Sequence, residues 1–282
     1  MKTKTLYVSD LDGTLLLPEE CLSPFTAETI RRLTAEGMLF SYATARSLST
    51  ARKVTGALGA LHLPVIVNNG GGILDAADGK ILEAVYFEPD EIDFVKTVLR
   101  EAGLSPMVYS RSGDRADSER VAYVPEDLSQ GMLYYLKTRT GDKRLRAVSP
   151  EALFTGNIFY FTTIRDRLEE VEAAAARIRG DGRFAVYLQK DLYSESYYFE
   201  VVPKRTTKAN AVRRLAERCG CDRIVCFGDG VNDLPMFETA DECYAVDNAD
   251  EALKAAATAV IGSNREDGVA KKLLTLWAQE KA

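Results

Sequence analysis

Apolar residues along this chain fall into two rhythms. Short continuous runs such as Thr5-Leu6-Tyr7-Val8, Met38-Leu39-Phe40-Ser41-Tyr42-Ala43 and Pro64-Val65-Ile66-Val67 predict buried strands. Stretches with helical spacing separate them. Ser23-Pro24 offers an N-cap and a first-turn proline, Ile30, Leu33 and Thr34 form a stripe, and Gly37 ends it. A second helix is predicted over about 47–58. Strand, helix, strand, helix, strand predicts a parallel sheet with right-handed crossovers. The last third returns to this rhythm, with strands expected at 223–227, 243–246 and 259–261. Helices are expected at about 207–218, from near Asn232, at 250–257, and at the end to about Trp277.

The middle of the chain differs. Tyrosine- and phenylalanine-rich runs, including Met107-Val108-Tyr109, Ile158-Phe159-Tyr160-Phe161 and Tyr197-Tyr198-Phe199, alternate with helical stretches near 90–101, 127–138 and 165–179. This pattern predicts an α+β insert with a mostly antiparallel sheet and helices on one face. The expected division is a discontinuous core, 1–82 plus 200–282, with an inserted domain at 83–199.

Composition narrows the classes of function. A net charge of −6 argues against a nucleic-acid partner. No segment approaches a membrane span and no signal peptide is visible, so a membrane partner is not expected either. Five cysteines, an odd number without zinc-finger spacing, predict reduced thiols and a cytoplasmic location. Cys219-Gly220-Cys221 reads as ordinary thiols. The single histidine, His62, lies in an expected helix-to-strand connection and reads as structural. Acid–base work then falls to carboxylates or lysine.

Two strand ends carry paired acids. The first run leads into Asp10-Leu11-Asp12-Gly13-Thr14, and the run at 223–227 leads into Gly228-Asp229-Gly230-Val231-Asn232-Asp233. Ligands of open α/β sheets bind at strand carboxyl ends. A carboxylate there can attack phosphorus, as Asp10 could, and Asp12 could protonate the leaving oxygen and then activate water. Several acids beside a phosphate need a cation, and hard oxygen donors favour Mg²⁺. Thr44, the Ala45 amide, Lys208 and Asn232 are candidate phosphate donors.

The order of these motifs closely resembles the haloacid dehalogenase-like hydrolases. The insert between the threonine and lysine motifs resembles the Cof-type phosphatases (subclass IIB) with their α/β cap. Asn69-Gly70, Asp247-Asn248-Ala249 and Asp267-Gly268-Val269-Ala270 match further family stretches. The resemblance implies a Rossmann-like parallel-sheet core with an inserted α+β cap domain. It implies Asp10 as nucleophile and Asp12 as general acid/base. Mg²⁺ would be held by Asp10, the Asp12 main-chain carbonyl and Asp229, with Asp233 in support. Phosphate would be met by the Leu11 amide, Thr44, Ala45, Lys208 and Asn232. Ala45 stands where the family often has glycine, and Asn68-Asn69 where a single asparagine is usual. Asn69 is preferred for its adjacency to Gly70, and Arg46 joins it as a candidate pocket residue.

The expected function is hydrolysis of a small phosphorylated metabolite through an aspartyl phosphate. The alternatives are a related phosphomutase, a dedicated sugar-phosphate phosphatase, or a non-catalytic sensor of a phosphorylated ligand. Monomer and weak dimer are both compatible with the chain. Tyr160, Tyr187, Tyr193, Tyr197, Tyr198, Arg111 and Arg115 are candidate cap contacts, although most of the tyrosines are expected to be sheet packing. Glycines 70–72 and Pro203 are candidate hinges.

Overall fold

The first apolar run becomes β1 (Thr5–Ser9), buried at every position, and Ser23 caps α1 (Pro24–Ala35) by accepting from the Thr26 amide. A computed structural model of the chain describes residues 3–59, 61–190 and 196–281. The chain continues through β2 (Leu39–Tyr42), α2 (Leu48–Thr55), β3 (Val65–Val67), β4 (Gly72–Leu74) and β5 (Ile81–Ala84). The insert contributes α3 (Pro89–Glu101), β6 (Met107–Arg111), β7 (Glu119–Tyr123), α4 (Gln130–Thr138), β8 (Leu145–Ala147) and β9 (Asn157–Arg165). It ends with α5 (Glu169–Asp181), β10 (Phe184–Lys190) and β11 (Tyr197–Pro203). The core resumes with α6 (Lys208–Cys219), β12 (Arg223–Gly228), α7 (Leu234–Phe237), β13 (Glu242–Val246), α8 (Glu251–Ala256), β14 (Ala259–Ile261) and α9 (Gly268–Lys281).

Contacts divide the chain into two units, Met1–Ala84 with Thr207–Ala282, and Val85–Thr206. The first holds a five-stranded parallel sheet in the order β14-β13-β12-β1-β2. Each strand after β1 is entered from a helix, the physical consequence of alternating strand and helix patterns. The third run at 64–67 departs from expectation. Among the described residues one parallel bridge, Ala43 to Ile66, ties it to the chain just after β2, and it folds into an antiparallel meander with β4 and β5. Neither β4 nor β5 was expected, because both are short and the glycine run 70–72 resembles a loop.

The second unit holds a six-stranded mixed sheet in the order β10-β11-β9-β6-β7-β8, antiparallel except where β7 meets β8. Helices lie on both faces, not on one as expected. Val95, Val98, Val171 and Ile178 of α3 and α5 pack with Val108, Phe161 and Phe199. Met132 and Tyr135 of α4 pack instead with Met107, Val121 and Ile164, on the opposite side. The alternation of Met107 with Val108 shows why, since neighbouring strand residues face opposite ways. β11 runs to Pro203, so residues 200–206 belong to this unit and not to the core.

Candidate active site

β1 and β12 are adjacent, Ser9 beside Phe227, and the Asp10 amide donates to the Phe227 carbonyl at 2.9 Å. The two acidic motifs therefore emerge together from one sheet edge. Thr207 caps α6 by accepting from the Asn210 amide, which brings Lys208 to the first turn. The Lys208 ammonium donates to Asp10 and, at 2.7 Å, to Asp233 Oδ1, and all three side chains are buried. The other Asp233 oxygen accepts from the amides of Asp229 at 3.1 Å and Gly230 at 3.2 Å. Asp233 thus shapes the loop that presents Asp229.

Asp229 accepts from the Thr14 hydroxyl at 2.7 Å. Its other oxygen lies against Gly13, where a Cβ would stand 2.2 Å away. Gly13 has φ +78°. Conformation and space both demand glycine there. Asn248 donates to the Gly13 carbonyl at 2.7 Å and holds the same loop from the β13 side. Reading the chain assigned Asn248 no role; only its place in Asp247-Asn248-Ala249 singled it out.

Asp10, Asp229 and Asp233 each offer an oxygen within 4.8 Å of the others. Three carboxylates around one ammonium leave an excess of negative charge. Like charges about 4 Å apart repel by about 4 kcal/mol at an effective dielectric of 20. Burial lifts the Asp10 carboxyl above the usual range; Lys208 opposes this, while Asp233 and Asp229 add to it. Burial also pushes Asp229 up to about 6, against the Thr14 hydrogen bond and with help from Asp233. Burial works against the Lys208 ammonium too, but Asp10 and Asp233 together outweigh it and hold it above the ordinary lysine value. A hard divalent cation would fit this all-oxygen donor set and would supply the missing charge.

The loop after β2 completes the rim. The Ala43 amide donates to the Ser9 carbonyl at 2.9 Å, which carries the chain alongside Asp10. Thr44 is buried, and its hydroxyl accepts from the Arg46 amide at 3.1 Å. Ala45 is exposed. Arg46 reaches Asp12 with two hydrogen bonds, 2.8 and 2.5 Å, and Glu20 with one of 2.8 Å. The Asp12 carboxylate therefore stands outside the acidic trio. The Asn69 amide donates to the Thr44 carbonyl at 2.9 Å, and that of Asn68 to the Arg46 carbonyl at 3.0 Å. Both asparagines are left-handed, φ 54° and 52°, and among the described residues neither buried side-chain oxygen has a hydrogen-bond partner. The structure gives Asn69 no preference over Asn68. Gly70 abuts the start of α6, where a Cβ would lie 2.1 Å from the Thr207 carbonyl. Leu11 is fully buried, while Asn232 is exposed in the turn after β12.

The insert's candidates are more dispersed. Arg111 is 1% exposed, paired with Glu119 and stacked on Phe159. Tyr160 donates to Glu200 within the sheet. Tyr187 and Arg115 are exposed, Tyr197 and Tyr198 half-buried, and Tyr193 lies outside the described residues. His62 is exposed beside its expected connection, and all five cysteines are free. Among the described residues, no helix is long and apolar enough to cross a membrane.

Residues 7–273 match the family model for haloacid dehalogenase-like hydrolases. The chain belongs to that family. This hydrolase is similar to a 5-amino-6-(5-phospho-D-ribitylamino)uracil phosphatase from Bacillus subtilis, 28% identical over 93% of this chain and 94% of that one. It is also similar to an HMP-PP phosphatase of an Enterobacter species, 27% identical over 98% and 96% of the two chains. A solved haloacid dehalogenase-like hydrolase from Bacteroides thetaiotaomicron shares its fold, with a TM-score of 0.76 at 22% identity, covering 97% and 99%. The Rossmann-like parallel-sheet core with an α+β insert is thus the fold of a known group. By family this hydrolase is an enzyme of the phosphoric monoester hydrolase class.

Proposed function

We propose that this hydrolase is a Mg²⁺-dependent phosphatase of small phosphorylated metabolites, acting through an aspartyl phosphate on Asp10. One observation carries the reading. Lys208 joins buried Asp10 to Asp233, with Asp229 in the same cluster, at the carboxyl ends of β1 and β12. A binder of phosphate has little reason to bury carboxylates around its lysine. A phosphoryl-transfer enzyme needs both a nucleophile and charge for a cation.

Asp10 attacks phosphorus while the bond to the leaving oxygen breaks, and Asp12 gives that oxygen a proton. Asp12 then takes a proton from water, whose oxygen attacks phosphorus. The Asp10–phosphorus bond breaks and inorganic phosphate leaves. Lys208, Thr44, Asn232 and the amides of Leu11 and Ala45 bind the phosphoryl oxygens in this proposal. Asp10, Asp229 and the Asp12 carbonyl would hold Mg²⁺, supported by Asp233, and the ion when bound offsets charge on the phosphoryl group. The inserted unit takes the role of a cap that selects the leaving group. Free cysteines and the relatives' metabolite phosphates support a cytoplasmic setting.

The relatives' names suggest the substrates to try first, 5-amino-6-(5-phospho-D-ribitylamino)uracil and HMP-PP, with sugar phosphates beside them as the class expected from the sequence. The test is a screen of such metabolites for phosphate release with and without Mg²⁺. Release that needs Mg²⁺ supports the proposal. Transfer to a second hydroxyl without free phosphate would make the enzyme a mutase, and binding without turnover would make it a sensor.

A further inference from the structure

We propose that Glu20 is a positioning residue for the acid–base step, acting through Arg46 on Asp12. The inference rests on the reading of Asp12 as the acid. Asp12 sits on an open turn, and its side chain is 47% exposed. Such a carboxylate is free to rotate unless something holds it. Arg46 does so with a fork, Nε to one oxygen at 2.8 Å and Nη2 to the other at 2.5 Å. A planar fork fixes the carboxylate plane, which a single hydrogen bond does not. Carboxylate oxygens have about four acceptor sites in all, so room remains for a leaving-group oxygen.

A long arginine needs its own anchors. Its backbone is fixed, since the Arg46 amide donates to Thr44 and its carbonyl accepts from Asn68. The far end is fixed by Glu20, which accepts from the same Nη2 at 2.8 Å. Glu20 is 66% exposed, so as a bare surface ion pair it would add under about 1 kcal/mol of stability. Its backbone is nonetheless left-handed, φ 55°, in a tight turn where its amide donates to the Leu17 carbonyl at 2.9 Å. A non-glycine residue in that conformation is uncommon and costs about 1 kcal/mol or more. The turn tolerates this while presenting a carboxylate to the back of the arginine that grips Asp12. Geometry, not stability, is the product of this contact.

A proton donor matters most when the leaving oxygen is strongly basic. The test is therefore a series of para-substituted phenyl phosphates from p-nitro to p-methoxy, assayed for kcat/KM with Mg²⁺. For Glu20→Gln we expect p-nitrophenyl phosphate to stay within about twofold of the native enzyme. The p-methoxy ester should lose about tenfold, a fraction of the 10² to 10⁴ that a complete general acid contributes. The plot of log kcat/KM against leaving-group pKa steepens. Equal loss across the series, or no loss, overturns the proposal, because a merely structural role has no reason to track leaving-group basicity. Asp12→Ala is run beside it and should steepen the plot further. A flat response to Asp12→Ala overturns the assignment of the acid itself, and the Glu20 proposal with it. A steep response to Asp12→Ala with a flat one to Glu20→Gln overturns the Glu20 role alone. An unchanged unfolding midpoint for Glu20→Gln shows that the fold is intact.

Discussion

In the α/β core, Lys208 answers two buried carboxylates, while the third, Asp229, is met by the Thr14 hydroxyl. In the insert, Arg144 reaches Glu119 at 2.8 Å and Asp142 at 2.7 Å, and Arg111 closes the group from the other side of Glu119. In this group arginines and acids pair with one another. The core leaves negative charge in excess at one strand edge. Buried charge without a matching partner is costly. A fold that keeps it there, on two motifs far apart in sequence, fits the proposed cation and the proposed phosphate beside it.

The largest expected effect breaks this contrast at its centre. Asp10→Asn keeps the side chain's shape and removes the nucleophile, so phosphate release should fall by about 10³-fold or more. The unfolding midpoint should move little, because Lys208 keeps Asp233. The same acid-to-amide change at Glu119 should do the reverse, costing stability and sparing turnover. Steady-state rates and thermal unfolding on both variants decide it; comparable activity loss from the two would erase the distinction between the units.

Chelation comes next. EDTA should silence the enzyme and Mg²⁺ restore it. The ion should also stabilise the folded chain, by about 2.7 kcal/mol at a hundred times its dissociation constant. An unfolding midpoint and a rate indifferent to both reagents would mean that the acidic excess is tolerated without a cation.

Most of the candidate site in the core was legible because its acids sit on ends of apolar runs. Asp10 after Val8-Ser9 and Asp229 after Phe227-Gly228 are found by asking where buried strands stop, and the parallel order then brings those ends together. Lys208 was legible as a lysine opening the helix that precedes the second acidic run. What could not be read was lateral. Nothing in the spacing says that Arg46 turns to Asp12, that Glu20 backs it, or that Asn248 holds Gly13, since each joins loops whose separation is set by the folded sheet. The insert was legible as strands and helices but not as layers. The helical spacing of α4 does not say which sheet face receives Met132 and Tyr135. Arg111 looked available as a cap contact because charge on a strand reads as exposed, whereas the structure buries it against Phe159 and Glu119.

Lys208→Met sharpens the contrast on the stability side. It removes the ammonium between Asp10 and Asp233 and fills its space with an apolar chain. Breaking a buried pair from one side costs about 3 to 5 kcal/mol. Urea unfolding in EDTA should show that loss, and Mg²⁺ should recover part of it by supplying charge from another direction. A loss that Mg²⁺ leaves untouched would place Lys208 outside the electrostatics of the acidic trio.

The smallest effect concerns Glu200, a carboxylate of the insert that meets a tyrosine hydroxyl instead of an arginine. Burial lifts its pKa above the ordinary 4.5, and donation from Tyr160 only partly opposes this; Tyr187 on the neighbouring strand faces the same carboxylate. The folded state therefore holds the Glu200 proton more tightly than the unfolded chain does. Stability from this group is full below the unfolded pKa and is lost as pH rises through the folded one. Glu200→Gln is neutral at every pH and still accepts from Tyr160. The variant should match the native protein near pH 4.5 and gain on it as pH rises toward about 8, in paired urea titrations. Titration of the core carboxylates is common to both proteins and cancels in the difference. A gap that stays constant with pH, or widens in favour of the native chain, would mean that a cation balances Glu200 after all, and that the insert pairs its charges as completely as its arginines suggest.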